Sequence, residues 1–174
     1  MNDDGWALET ERLWLRRVTP GDAALMLAIW NDPAFVNFVG DRGIRDLDQA
    51  LAAMQAGAFR LYDEFGYGPY ALSVKEGEGE IGICGLFRRD FLEHPDIGFA
   101  LLPAFCGMGY AYEAAVAVLA HARDDLGIET VTAIVSPRNA ASIGLIEKLG
   151  MTFDRSITMP GETDAISLYS TFLC

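Results

Sequence analysis

Histidine and cysteine are scarce in this chain of 174 residues, which has only His94 and His121 and three cysteines, Cys84, Cys106 and Cys174. Two histidines cannot build a His-rich metal site, and the cysteines are odd in number, widely spaced and without metal-type pairing, so no metal is expected. A reduced, cytoplasmic protein without structural disulfides is the expectation. No run approaches the roughly eighteen apolar residues of a membrane span, and the opening MNDDGWALETER has no signal-peptide pattern. There is neither a G-x-S-x-G elbow nor a G-K-[ST] phosphate loop, which sets aside most hydrolases and P-loop nucleotide enzymes. Positive charge is short as well: 13 Lys and Arg stand against 25 Asp and Glu, a net charge of −12. A nucleic-acid binder would present a basic face, so neither nucleic acid nor membrane is an expected partner. Long-range attraction favours a cationic partner, such as an amine or a basic peptide. Solubility alone also accounts for an acidic surface.

What is present is a globular composition, 51% apolar and 22% charged, of a length suited to one domain over 1–174. Leu13 and Leu15 alternate with Arg12, Trp14 and Arg16, the two-residue period of a half-buried strand over 12–18. Thr19, as a cap, and Pro20 start a helix that Asn31-Asp32-Pro33 stops. A second helix runs from Asp46 through Leu47, Leu51 and Met54 towards Leu61, weakened by Gly57. The stretch around Phe35 to Val39 shows no assignable pattern. From 70 the pattern turns to strands: 70–75 and 80–88 across a Glu76-Gly77-Glu78-Gly79 hairpin, then 96–102, 130–135, 151–158 and 165–173. Alanine-rich and Ile143/Ile146/Leu149 helices lie among the last of these, the second ending at Gly150. The fold class is therefore mixed α/β (α+β).

The informative segment is Cys106-Gly107-Met108-Gly109-Tyr110-Ala111, where a strand ends, two glycines turn the backbone and a helix begins. Glycines let a chain approach a ligand closely, and the first helical amides point outward unsatisfied, a ready site for phosphate. A tight turn alone is the plain alternative. A Rossmann site is disfavoured, because Tyr112 is too large for the third small position and Glu129 precedes the next strand rather than ending it.

The second half resembles the GCN5-related N-acetyltransferases (GNAT), and most closely their ribosomal-protein N-terminal acetyltransferase branch. Gly109 and Ala111 match the family's [QR]-x-x-G-x-[GA] loop, with Cys106 at its Gln/Arg position. Gly107, Gly109, Tyr110, Ala111, Glu113 and Ala114 fit the branch pattern W-G-x-G-Y-A-x-E-A. Asn139-Ala140-Ala141-Ser142 and Glu147-Lys148-Leu149-Gly150 match the next block, and LETERLWLRRVTPGDA looks like the branch's first strand and helix. The resemblance implies a GNAT fold, a largely antiparallel sheet of about six to seven strands with about four helices and a splay between two central strands. It divides the chain into acceptor-side elements over about 1–68 and an acetyl-CoA core over about 69–174.

By that resemblance the amides of Met108, Gly109, Tyr110 and Ala111, with Gly107 permitting the turn, bind the pyrophosphate of acetyl-CoA. The strand carrying Phe99, Ala100 and Leu101 pairs with the pantetheine arm, and Asn139 bonds the co-substrate. A helix N-cap is the other role open to Asn139. Many relatives use a tyrosine acid at a position held here by Ile146. The branch uses a serine, which Ser142 matches; the alternative is a residue that only bonds the helix start. For the base, Asp96 heads the co-substrate strand, with Glu93, Asp90, Glu64 and His94 as rivals. Cys106 is expected in buried packing rather than as a nucleophile. The implied activity is direct acetyl transfer to a primary amine, foremost a protein N-terminal α-amino group. A polyamine or aminoglycoside acetyltransferase and a CoA-binding sensor are the alternatives. Nothing in the pattern sets the oligomeric state, and a homodimer stays open.

Overall fold

The computed structural model describes residues 7–174; the first six, where the MNDDGWALETER opening begins, lie outside them. Eight strands form one sheet: β1 (Leu8–Glu9), β2 (Leu13–Arg17), β3 (Pro69–Val74), β4 (Glu80–Phe87), β5 (Asp96–Leu101), β6 (Thr130–Val135), β7 (Thr152–Thr158) and β8 (Ala165–Phe172). Their order is β1-β2-β3-β4-β5-β6-β8-β7, and every neighbouring pair is antiparallel except β5 and β6. The eighth strand beyond the expected six to seven is β1, two residues long, too short to show a period.

Six α-helices accompany the sheet among the described residues: α1 (Ala23–Trp30), α2 (Pro33–Phe38), α3 (Leu47–Met54), α4 (Arg60–Phe65), α5 (Tyr110–Asp124) and α6 (Ala140–Lys148). Two of them correct the expectation of about four. Asp32 accepts hydrogen bonds from the amides of Ala34 (3.0 Å) and Phe35 (3.3 Å), so the Asn31-Asp32-Pro33 stop also starts α2. A cap followed by proline looks the same in sequence as a turn. The helix capped by Asp46 continues to Phe65, but a π-turn over Gln55–Phe59, holding Gly57, divides it into α3 and α4. The helix expected after Thr19 opens with a 3₁₀ turn, where the buried Asp22 accepts from the Thr19 amide at 2.7 Å and from Arg16.

Each sheet face buries its own core. On one, Met26, Ile29 and Trp30 of α1 and Ala50 and Met54 of α3 pack on Val18, Ala71 and Ile83. On the other, Ala114, Ala115, Val118 and Ala122 of α5 and Ile146 of α6 pack on Leu13, Leu15, Leu72, Leu86, Val131 and Ala133. Small residues on α5 let that long helix lie close to the sheet. Each large apolar side chain so buried contributes about 1.5–3 kcal/mol.

Candidate active site

The sheet comes apart along one seam. Asp96 and Thr132 are the only residues paired between β5 and β6 among the described residues, fastened by the Thr132 amide donating to Pro95 O at 2.9 Å and the Thr132 hydroxyl at 3.2 Å. Beyond that joint the strands diverge. On its other side β5 stays paired with β4, where the Leu102 amide, just past the strand end, donates to Ile81 O at 2.8 Å. Antiparallel pairing alternates along a strand, so Ala100 and Gly98 also turn their peptide groups to β4. Ile97, Phe99 and Leu101 turn theirs towards the gap. Of the three strand residues expected to line a pantetheine arm, Phe99 and Leu101 offer backbone groups to the gap. Ala100 offers none.

The glycine loop closes the open end of this gap. Gly107 and Gly109 have φ of +78° and +83°, a region that costs other residues about 1–2 kcal/mol. The first bond of α5 runs from the Glu113 amide to Gly109 O at 3.0 Å. The amides of Tyr110, Ala111 and Tyr112 therefore precede it without intrahelical acceptors, at the positive end of a helix of 15 residues. Met108 is exposed on the loop. Cys106 is exposed too, with its thiol directed at Leu102 O (3.7 Å) and Leu101 O (3.9 Å). That overturns the expected buried packing: it follows the 3₁₀ turn Pro103–Phe105 in extended conformation, outside both cores.

Sequence reasoning missed what props up this loop. Arg12 donates from Nη1 to Met108 O at 3.0 Å and from Nε to Glu113 Oε2 at 2.6 Å, and its guanidinium covers the Tyr110 ring at 4.5 Å. Glu113 Oε1 also accepts from the Thr10 hydroxyl (2.6 Å) and the Arg12 amide (2.8 Å). Burial pushes the Glu113 carboxyl up, but these hydrogen bonds and the Arg12 charge outweigh it and hold the group below its ordinary value. The clasp pairs the first-turn carboxylate of Glu113 with Arg12 and ties the same guanidinium to the loop at Met108 O. The signal was in view, since Thr10, Arg12 and Glu113 all fall inside quoted motifs, but they lie about a hundred positions apart in sequence.

Asn139 stands at the N-cap of α6, its Oδ1 accepting from the Ser142 amide at 3.1 Å. The capping role is therefore realised, and the side-chain NH₂ has no acceptor among the described residues. Ser142 is half-buried, and its hydroxyl has no protein partner among the described residues. Ile146, four positions on and 2% exposed, is packed into the core. Residues four apart share a helix face, so Ser142 lies on the sheet-facing side of the first turn. The loop and Asn139–Ser142 both follow the carboxyl ends of the splayed strands, where open α/β sheets place ligands.

Asp96 lies at the other, closed end of the gap. It is 1% exposed and accepts from Arg89 Nε at 2.9 Å and 3.1 Å. Burial raises its proton affinity, and Arg89 opposes that without cancelling it. Among its rivals, Glu64 is engaged by Arg60 at 2.8 Å, Asp90 and Glu93 are exposed, and His94 is half-buried beside Pro95.

A gap between two parallel central strands, ending at a glycine-turned helix N-terminus, is the place that the resemblance assigns to acetyl-CoA. A family model described as an acetyltransferase (GNAT) domain matches residues 12–152. The chain belongs to the GNAT acetyltransferases, and is an acetyl-CoA-dependent acyltransferase. It is 28% identical to the uncharacterized N-acetyltransferase YoaA of Bacillus subtilis over 145 residues, 82% of this chain and 81% of YoaA. It is 30% identical to the uncharacterized N-acetyltransferase p20 of Bacillus licheniformis over 143 residues, 82% of this chain and 80% of that one. Among solved structures, an acetyltransferase from Agrobacterium tumefaciens C58 superposes with a TM-score of 0.78 at 28% identity, covering 94% of this chain and 92% of the other. The same fold recurs in RimL, a ribosomal L7/L12 α-N-protein acetyltransferase solved with CoA (TM-score 0.79, 16% identity, 94% and 96% covered). It recurs again in the Vibrio cholerae spermidine N-acetyltransferase solved with CoA and spermine (TM-score 0.78, 14% identity, 94% and 97% covered). No helix among the described residues is long and apolar enough to cross a membrane.

Proposed function

We propose that this protein transfers acetyl directly from acetyl-CoA to a primary amine, and that the acceptor is the α-amino group of a protein or peptide N-terminus. The observation that carries the reading is the β5–β6 gap, whose inward peptide groups at Phe99 and Leu101 lead from the glycine loop to the Asp96–Thr132 joint. Five strand residues at about 3.3 Å each match the reach of an extended pantetheine arm. The residues fit the group: loop amides for the pyrophosphate, strand amides for the arm, and the Asn139 NH₂ beside them. Acetyl-CoA supplies the activated acyl group. Neighbours of the same fold act on a protein N-terminus in one case and on spermidine in another, so the likeness of fold does not select between them.

In this reading Ser142 donates a proton to the departing thiolate. Its hydroxyl has no protein partner among the described residues and lies on the sheet-facing side of α6. Asp96, whose burial raises its proton affinity, accepts the proton an ammonium acceptor must lose. Preorganised amides at the gap stabilise charge that develops on the acyl oxygen. Release of free thiol from acetyl-CoA, measured against peptide N-termini, polyamines and aminoglycosides, tests the proposal. Turnover on peptides is expected, and binding of acetyl-CoA without turnover on any amine would move the protein to the sensor class.

A further inference from the structure

Arginines gather near the joint in a chain that is acidic overall. An open cavity of about 510 Å³ is lined by Arg60, Arg88, Arg89, Asp90, Phe91 and Pro160. Three of its six lining residues are arginines, in a chain with 13 basic residues against 25 acidic ones. They come from separate elements: Arg60 opens α4, Arg88 and Arg89 follow β4, and Pro160 belongs to the β7–β8 connection. Such convergence does not arise from one amphipathic stripe.

The internal partners leave donors over. Arg89 uses only Nε on Asp96, so its two terminal nitrogens have no protein acceptor among the described residues. Arg88 gives Nη1 to Glu93 O at 2.7 Å, a neutral carbonyl that leaves its charge uncompensated. Arg60 and Arg89 are ion-paired, with Glu64 at 2.8 Å and Asp96 at 2.9 Å, and Arg88 is the member without a carboxylate partner among the described residues. Asp90 is the one carboxylate on the lining. Nearby, Arg42 covers the Trp30 ring at 5.0 Å without a carboxylate partner among the described residues. Partial burial and the neighbouring Arg89 charge lower its affinity for its proton. The terminal nitrogens left over on Arg88 and Arg89 suit an anion supplied from outside.

The cavity also has the right address. Arg89 is bonded to Asp96, the residue that closes the seam against Thr132. A co-substrate held by its pyrophosphate at the glycine loop extends its arm along β5 in the direction of this joint. We infer that the acceptor amine carries an anionic group, a carboxylate or a phosphate, which Arg88, Arg89 and Arg60 receive in this cavity. The inference rests on the acetyl-transfer reading and narrows its substrate class away from polyamines. It separates two ranges of electrostatics: the acidic surface acts at distance, whereas the fork geometry of arginine selects at contact.

The test uses C-terminally amidated dipeptides that differ in one side chain, Glu-Ala against Gln-Ala and Lys-Ala, phosphoserine-Ala against Ser-Ala, with spermidine as the cationic comparison. The expected result is a kcat/KM about ten-fold or more higher for the acidic member of a pair, carried by KM, the scale of one charge-assisted contact. The better of the glutamyl and phosphoseryl peptides identifies the anion. Arg88→Gln and Arg60→Gln, the latter at an exposed helical position, should each shrink the acidic-to-neutral ratio towards one, and Arg88→Glu should invert it in favour of the lysyl peptide. Equal or better turnover of Gln-Ala, Lys-Ala or spermidine by the wild-type enzyme overturns the inference and leaves acetyl transfer standing. If no amine turns over, acetyl transfer fails and calorimetry of N-acetyl-Glu-Ala-amide on the CoA-saturated protein decides the cavity by itself. Binding lost in Arg88→Gln upholds the anion site, and no binding overturns it.

Discussion

The two ends of the cleft are made of different material. In the proposed reading, ligand contacts at the open end are offered by the backbone: loop amides freed by two positive-φ glycines and strand amides freed by the splay. At the closed end they are offered by side chains, namely Asp96, Arg88, Arg89 and Arg60, carried on unrelated elements. A backbone site needs particular residues only where φ or space demands them, so it tolerates almost any side chain elsewhere and leaves a short, recurrent signature. A side-chain site can be rebuilt with each change of ligand. The first kind suits a co-substrate that never changes, and the second an acceptor that does.

The strongest break in this comparison is Gly109→Val. Its φ of +83° disfavours a β-branched residue, and a Cβ there would stand 3.3 Å from Arg12 Nη2. Acetyl-CoA affinity, measured by calorimetry on folded protein, should fall by two orders of magnitude or more, roughly 3 kcal/mol. Unchanged affinity would remove the loop from the site. Next in size is Ser142→Ala, which deletes one hydroxyl and leaves a good helix former. With chemistry limiting, kcat should drop about 10²-fold while acetyl-CoA affinity and thermal stability hold. A wild-type kcat would leave water or the acceptor as proton donor.

Glu113→Gln probes the clasp behind the loop. Hydrogen bonds to a charged group contribute about 1.5–3 kcal/mol, a ceiling for a group partly open to solvent. Because the folded carboxyl titrates below its ordinary value, its contribution is complete above the unfolded pKa of about 4.3 and is lost as pH falls through the folded value. Urea midpoints of wild type and Glu113→Gln should differ at pH 7 and converge in acid; a constant difference would exclude the charge. The smallest effect is expected from Asn139→Ala, about 1 kcal/mol of stability from the lost cap. An acetyl-CoA affinity that weakens beyond that loss identifies the NH₂ as a ligand contact, whereas unchanged affinity leaves only a cap.

Legibility followed the same division. The turn at Gly107 and Gly109 and the cap at Asn139 were readable because backbone geometry restricts such positions to few residue types, and the order of β5, α5, β6 and α6 was readable with them. Leu13 and Leu15 gave β2 through alternation, and both are fully buried. The segment 33–68 was only partly readable. In α2, where no residue is fully buried, there is no apolar face to give a period. The π-turn at Gln55–Phe59 shifts the helical phase that a reading of period 3.6 assumes. The arginine cavity was hidden for another reason: Arg60 and Arg88 are separated by two strands, and an overall charge of −12 pointed the other way.

The single bridge between β5 and β6 has a consequence that amide hydrogen exchange would read directly. Along β5 the pattern should alternate: Gly98 and Ala100, bonded to β4, exchange slowly in the free protein, while Phe99 and Leu101, facing the gap, exchange fast. Acetyl-CoA lying in the gap would act as the strand that β6 does not provide there, bringing the fast odd-numbered amides towards the slow exchange of the even ones. At a hundred times its dissociation constant, any ligand bound only to the native state adds about 2.7 kcal/mol to global stability. Every amide that exchanges by global unfolding shares that increment, whereas Phe99 and Leu101 would gain local protection as well, from acceptors on the ligand itself.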